Sequence, residues 1–435
     1  MKKLLCVLLT MLIVVSSVFV LSACDDSAGD STVNSNSVYN FKTDYQYYYN
    51  NINMGSLPIA KSDTGYYFFL TNRFLHYMDK ETLETTPVCN KANCLHNNRD
   101  ECDAYFNTYK VPTTVAGSNV VQYYDDSLYM LLRNDDEYGE FVGTSLYKVS
   151  LDGTLREKLI SFDFGIPAWL IHRGDFYYAK ESYNDNVNAA INIDSFSINK
   201  ISLDNLKEEP IKLFDTNEYF DCIQSVYQFV AYDNYIITSV VPLSEKAIEE
   251  LTAEGERKML IEKYYYSICT DSLEVNEISS DEGKVSISSF YNDKLLYIVE
   301  GKESNSNRYF TCELDGSSPS LLVEMKYGDN LFYDGNHMFL QNYIEDFKES
   351  NGGVGGNKVS LLDSSFKPIS TFRIGFDYSG GIPQDPECFL CINSVSNTDQ
   401  EVYYIDKSKL DKMNGEEVEY KTVYSSLKDR PQSEE

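Results

Sequence analysis

Beyond residue 40 the apolar residues arrive in short runs, each closed by Asp, Asn, Gly or Ser. Short β-type runs with turn residues between them predict strands and hairpins, not helices. One unit recurs. A turn leads into an aromatic strand, a second strand follows, and an Asp with small or polar neighbours closes it. The aromatic strand begins at Gly65-Tyr66-Tyr67-Phe68-Phe69, Ser127-Leu128-Tyr129-Met130 and Gly174-Asp175-Phe176-Tyr177-Tyr178. It returns at Asn234, Lys294, His337 and Cys388. The second strand closes on Asp79, Asp152, Asp204, Asp271, Asp315, Asp363 and Asp406, at spacings of 43 to 73 residues.

The shorter spacings suit four strands joined by tight turns, which is one propeller blade. An all-β propeller of seven blades is therefore expected, with six or eight following if the ends are counted differently. A row of separate β-sandwiches would show linkers and would leave its sheet edges open, whereas a closed ring protects them. The expected propeller spans residues 41–427, followed by a polar tail over 428–435. Three long insertions fall between the second and third strands of blades: Glu181 to Asp194, Pro242 to Lys263 and Asn342 to Asn357. Ser244 can cap a short helix through Ala247, Ile248 and Leu251 in the blade 4 insertion. These connections, with the one from Cys89 to about Tyr109, share one end of the ring and mark it as a recognition face.

The first 40 residues follow a different pattern. Met1-Lys2-Lys3 precedes an apolar stretch from Leu4 to Leu21, and Leu21-Ser22-Ala23-Cys24 follows. A basic start, an apolar middle and small residues before a cleavage point form an export signal. The four-residue string resembles the bacterial lipobox, which implies a signal peptide over 1–23 and a diacylated Cys24. Residues 24–40 then read as a lipidated Cys and a flexible tether, without apolar periodicity. Two acyl chains hold a protein firmly on a bilayer. The expected location is the extracytoplasmic face of the cytoplasmic membrane, with the lipid on Cys24 as the membrane contact.

Composition narrows the partners. The formal charge of −30 becomes −32 once Lys2 and Lys3 are removed. That excess of acid excludes nucleic acid, whose binding needs positive charge against the phosphates. Tyrosine is abundant at 36 residues, while Trp169 is the single Trp. Tyr-rich surfaces suit binding, and Tyr equally suits the half-buried face of a strand.

The most distinctive string is Cys89-Asn90-Lys91-Ala92-Asn93-Cys94-Leu95-His96, followed after five residues by Cys102. Cys89, Cys94, His96 and Cys102 can supply the four ligands of a structural Zn²⁺. An exported protein also permits a local disulfide, with the third thiol paired elsewhere. Either arrangement clamps a long loop. Cys388 and Cys391 sit three apart in a strand and face opposite ways, while Cys269 and Cys312 read as small buried hydrophobes. The lipobox, the tether, the Cys-x4-Cys-x-His…Cys-Asp-Ala stretch and the blades together resemble a group of lipoproteins of Gram-positive anaerobes with TolB-like propellers. The resemblance covers nearly the whole mature chain and brings no reaction with it.

No Gly-x-Ser-x-Gly, His-Glu-x-x-His or P-loop string occurs. His76, His172 and His337 have no evident partner in the sequence and read as surface or satisfied-core residues. Acidic pairs such as Asp125-Asp126 and Asp135-Asp136 suit solvated turns. Asp185 and Asp194 could meet Ca²⁺, but no EF-hand spacing accompanies them. The expected function is a non-enzymatic binding module for a peptide, protein or glycan. An envelope assembly scaffold and a glycan-active enzyme using funnel carboxylates are the alternatives.

Overall fold

The computed structural model describes residues 39–51, 55–56, 58–70, 72–96, 98–99, 101–108, 120–183, 193–220, 223–242, 263–300, 306–326, 328–343, 357–375, 385–394 and 400–426. The chain forms a seven-bladed β-propeller. Five sheets have four strands in chain order: from Ile59–Lys61 to Thr85–Pro87, Gln122–Tyr124 to Arg156–Phe162, Trp169–His172 to Ile211–Asp215, Ile223–Tyr232 to Val275–Ile278, and Lys284–Tyr291 to Ser320–Lys326. We letter the strands of a blade a to d.

Blade 6 runs from Asp329–Tyr333 to Pro368–Ile374 and gains a fifth strand, Asn414–Glu417, parallel to strand d. Blade 7 shows Cys388–Ser394, Gln400–Asp406 and Lys421–Ser425. The excursion from Lys407 to Tyr420 therefore leaves blade 7, pairs with blade 6 and returns. All seven predicted pairs of aromatic and second strand are present as antiparallel b–c pairs.

The recurring Asp has a mechanical reason. Its carboxylate accepts the main-chain N–H two residues on, which turns the chain from strand c into strand d. This bond appears at Asp79, Asp152, Asp315 and Asp363, and at Asp406 it caps the 3-10 turn Lys407–Lys412. Strands a and b are joined more tightly. Asp125-Asp126 and Asn292-Asp293 hold positive φ at both residues, the backbone whose twist matches a two-residue hairpin.

Apolar faces of neighbouring blades pack in pairs around the whole ring. Phe69 and Met130 meet between blades 1 and 2, and Leu146 and Phe176 between blades 2 and 3. One continuous cluster joins blades 3, 4 and 5. Leu296 with Leu331, Phe339 with Phe389, and Phe68 with Leu390 complete the circuit through blade 7 to blade 1. Tyrosines take part in this packing: Tyr66, Tyr265 and Tyr309 are fully buried, so these answer to strand packing and not to surface binding.

Residues 39–48 lie across the end of the ring formed by the a–b turns. Lys42 O accepts from Asp125 N–H, and Thr43 O accepts from Arg173 N–H, each at 2.8 Å. Among the described residues there is no α-helix; short 3-10 turns occur at Tyr47–Tyr49, Thr216–Glu218 and Lys407–Lys412. The expected blade 4 helix from Ser244 lies outside the described residues, as do the signal peptide, Cys24, Asp185 and the tail.

Candidate metal centre

Strand d of blade 1 ends at Pro87, and the chain then leaves the ring at Cys89. It returns as Ala104 to Thr108, which adds main-chain pairing to both neighbouring blades. Leu75 N–H donates to Ala104 O at 2.8 Å and Phe106 N–H to Arg73 O at 3.1 Å. Arg133 N–H of blade 2 donates to Asn107 O at 2.9 Å. The loop between is too short for a core of its own, and among its described residues and their neighbours the buried cluster is Phe74, Cys102 and Ala104. Something else must order it.

The four predicted donors come together in this loop. Cys89, Cys94, His96 and Cys102 place their ligand atoms within 4.8 Å of one another. His96 Nδ1 lies 3.4 Å from Cys102 Sγ. Cys89, Cys94 and Cys102 stand as free thiols in this arrangement. Asn93 and His96 both take positive φ, at 64° and 54°, which turns the chain back so that ligands close in sequence converge. A tetrahedral metal with bonds of about 2.3 Å holds its sulfurs about 3.8 Å apart. The cluster needs to contract by only about 1 Å to meet that.

The surroundings favour thiolate at Cys89 and oppose it at Cys102. Ala104 N–H donates to Cys102 Sγ at 3.4 Å. Burial works to raise the Cys89 thiol, but the N–H groups of Lys91 and Asp103 and the neighbouring Cys94 and Cys102 bring it below its ordinary value. Burial pushes Cys102 up to about 12, so its proton is one that a metal would displace.

A second layer of contacts fixes the ligands' main chain. Lys91 Nζ pairs with Asp103 at 2.9 Å and donates to Glu101 O at 2.7 Å. Arg156, from strand d of blade 2, donates to Asp103 O and Tyr105 O and lies 3.8 Å over the Phe106 ring. Asn90 reaches Asp152 in the c–d turn of blade 2. The loop therefore touches both ends of blade 2, where the sequence placed it with the b–c connections alone. Arg156 and Asn107 carry no signal in the sequence that ties them to the cysteines.

The other predicted residues do not join this cluster. Cys388 and Cys391 are buried in different inter-blade clusters, on opposite faces of their strand. Cys269 and Cys312 are buried as well. The histidines have partners that the sequence did not show, in keeping with the surface or satisfied-core roles read for them. His76 meets Phe74 O at 3.0 Å, His337 meets Asp334 at 3.5 Å, and His172 ends strand a of blade 3 with both ring nitrogens engaged. Asp136 accepts from Tyr138 and Glu140 N–H, so that acidic run is a turn.

The chain is thus a closed propeller with a Cys₃His cluster that could hold a metal ion. No protein-family model matches it, and no curated protein does. Solved structures similar in fold include an oligogalacturonate lyase in complex with manganese, 11% identical over 77% of this chain and 82% of that one, with a TM-score of 0.46. Oligogalacturonate lyase from Vibrio parahaemolyticus is 9% identical over 85% and 92%, at 0.47. Prolyl oligopeptidase B from Galerina marginata is 10% identical over 86% and 50%, also at 0.47. Likeness at this level carries no chemistry across, and the propeller rests on the strand pairing above. Among the described residues, no helix is long and apolar enough to cross a membrane.

Proposed function

We propose that the chain is an extracytoplasmic binding module, tethered through lipid on Cys24, which presents the b–c end of its ring to a peptide, protein or glycan. The observation that carries this reading is the filling of the opposite end. Residues 39–48 lie against the a–b turns of the ring, and we assign recognition to the other end, where the b–c connections belong. Three of those connections are long in the sequence, and loops held on a rigid ring are where binding residues concentrate.

We assign Zn²⁺ to Cys89, Cys94, His96 and Cys102. Three thiolates and an imidazole are a soft donor set suited to that ion. All four positions are taken by protein, which leaves none for a reacting water and makes the role structural. The metal would order the loop between blades 1 and 2 beside the recognition end.

The test uses the full chain and two versions in which residues 243–262 or 344–356 are replaced by two-residue turns. Each is screened against envelope glycans and peptides by native mass spectrometry. A ligand held by the parent and lost from a folded replacement supports the reading. Equal binding by all three versions, or turnover of a glycan by the parent, would overturn it.

A further inference from the structure

The contact between residues 39–48 and the ring differs from the pairing inside the blades. No residue of that segment belongs to a strand. Its own bonds make a turn: Thr43 and Asp44 N–H donate to Asn40 O, and Asn40 N–H donates to Asp44 Oδ2. The ring meets this turn with main chain at Asp125, Arg173 and Lys61 and with the side chains of His172 and Arg173. Tyr45 N–H donates to His172 Nδ1 at 3.0 Å. Gln46 makes a two-way amide contact with Lys61, accepting from its N–H at 2.8 Å and donating to its carbonyl at 2.7 Å.

The charged anchor is Asp44, which is buried. The Arg173 guanidinium grips both of its oxygens, at 2.9 and 3.3 Å, and extends its third nitrogen to Asp233 at 2.7 Å. Two-pronged Arg–carboxylate contacts are directional as well as strong. Aromatic anchors follow. The Tyr47 ring meets Tyr232 and Phe290 edge-on, at 5.3 and 5.0 Å. Tyr48 packs with Ile59, Tyr66 and Cys388. Buried aromatic anchors, a gripped carboxylate and read main-chain groups are how a surface holds a bound peptide.

We propose that the a–b end of the ring is a peptide-recognition site, filled in this chain by its own residues 39–48. The peptide it fits forms one turn and carries Asp followed by Tyr at the next, third and fourth positions. A peptide of the same chemistry would enter only by displacing the resident segment. The inference stands apart from the lipid anchor and from the metal.

The experiment keeps the full chain and inserts a site-specific protease sequence between Asn53 and Met54. After cleavage, a labelled synthetic peptide covering 39–51 is added, and exchange is followed by fluorescence anisotropy and native mass spectrometry. We expect the cleaved protein to keep its near-ultraviolet circular dichroism and to exchange the resident fragment for the labelled one. Asp44→Ala in the peptide should weaken binding by about tenfold or more, the scale of a lost charge-assisted contact. Arg173→Ala in the protein should do the same. Collapse of the dichroism when the fragment leaves, or no uptake of peptide, would make 39–48 a part of the fold. Equal binding of the Asp44→Ala peptide would also overturn the proposal.

Discussion

Lys407 Nζ lies 2.7 Å from Asp334 Oδ2, and both side chains are almost wholly withdrawn from water. Lys407 belongs to the excursion that leaves blade 7, and Asp334 to the a–b turn of blade 6. The ammonium also donates to Asp385 O and sits 4.1 Å over the Phe389 ring. Lys61 of blade 1 pairs with Asp385 at 3.2 Å. The ring therefore joins blades 6, 7 and 1 through buried charge as well as apolar packing.

Breaking one side of such a pair leaves an uncompensated buried charge, which costs about 3–5 kcal/mol. Lys407→Met should lower unfolding stability by that order in urea titrations. Lys407→Met with Asp334→Asn should recover much of the loss, because no charge is then stranded. Simple addition of the two single losses would show that the pair is not coupled.

Asp334 also gives the ring an acid limit. Burial works to raise its carboxyl, but Lys407, His337 and the N–H of Asn336 hold it below the usual carboxylate range. Its contribution is whole above the unfolded value, near pH 3.9, and is lost as pH falls through the folded one. Asp334→Asn should flatten the acid-unfolding slope below about pH 4. An identical slope would assign acid unfolding to other groups.

His172 acts at milder pH. Burial lowers its pKa, with Asp44, Arg173 and Asp233 the charged groups around it. Tyr45 N–H donates to Nδ1, and Nε2 faces Asp233 O, so the neutral ring is the form that fits. An unfolded histidine takes its proton near pH 6.5. The stability from this group is whole above that pH and is lost as pH falls from there through the folded value. Urea midpoints measured from pH 8 to pH 5 should fall below about pH 6.5, and less so in His172→Gln. Parallel curves for the two proteins would sink the assignment.

Purified without chelator, the protein should carry one Zn²⁺ per chain by elemental analysis, and Cys94→Ser should abolish it. Hydrogen exchange after chelation should then rise over residues 89–108 more than in blades 3 to 5. Full protection of that loop without metal would remove the structural role of the ion.

Arg156 tests the layer behind the ligands. Its guanidinium holds the carbonyls of Asp103 and Tyr105 beside Cys102. Partners of this kind are worth about 10–100-fold in metal affinity, so Arg156→Ala should weaken Zn²⁺ by that order in a chelator competition. An unchanged affinity would place Arg156 in blade packing alone.

Much of the fold was legible because each blade repeats a local rule. Aromatic strands, tight Asp/Asn hairpins and a closing Asp depend on neighbours a few residues away, and pattern reading finds them. The four metal donors were legible for the same reason, lying within fourteen residues. Arg156 was not, since it comes from strand d of the next blade. The partners of His172 were also hidden, because Tyr45 is 127 residues distant.

The sequence by itself determined the class of the fold, the phase of its seven repeats and the donor set of the cluster. Each follows from short-range periodicity and from residue chemistry. Only the tertiary structure decided which distant charges meet. It brings Asp44 to Arg173, Lys407 to Asp334 and Lys61 to Asp385 across gaps of 73 to 324 residues. In each pair the carboxylate is buried and needs its cation beside it, and burial belongs to the assembled ring and to no single stretch of chain.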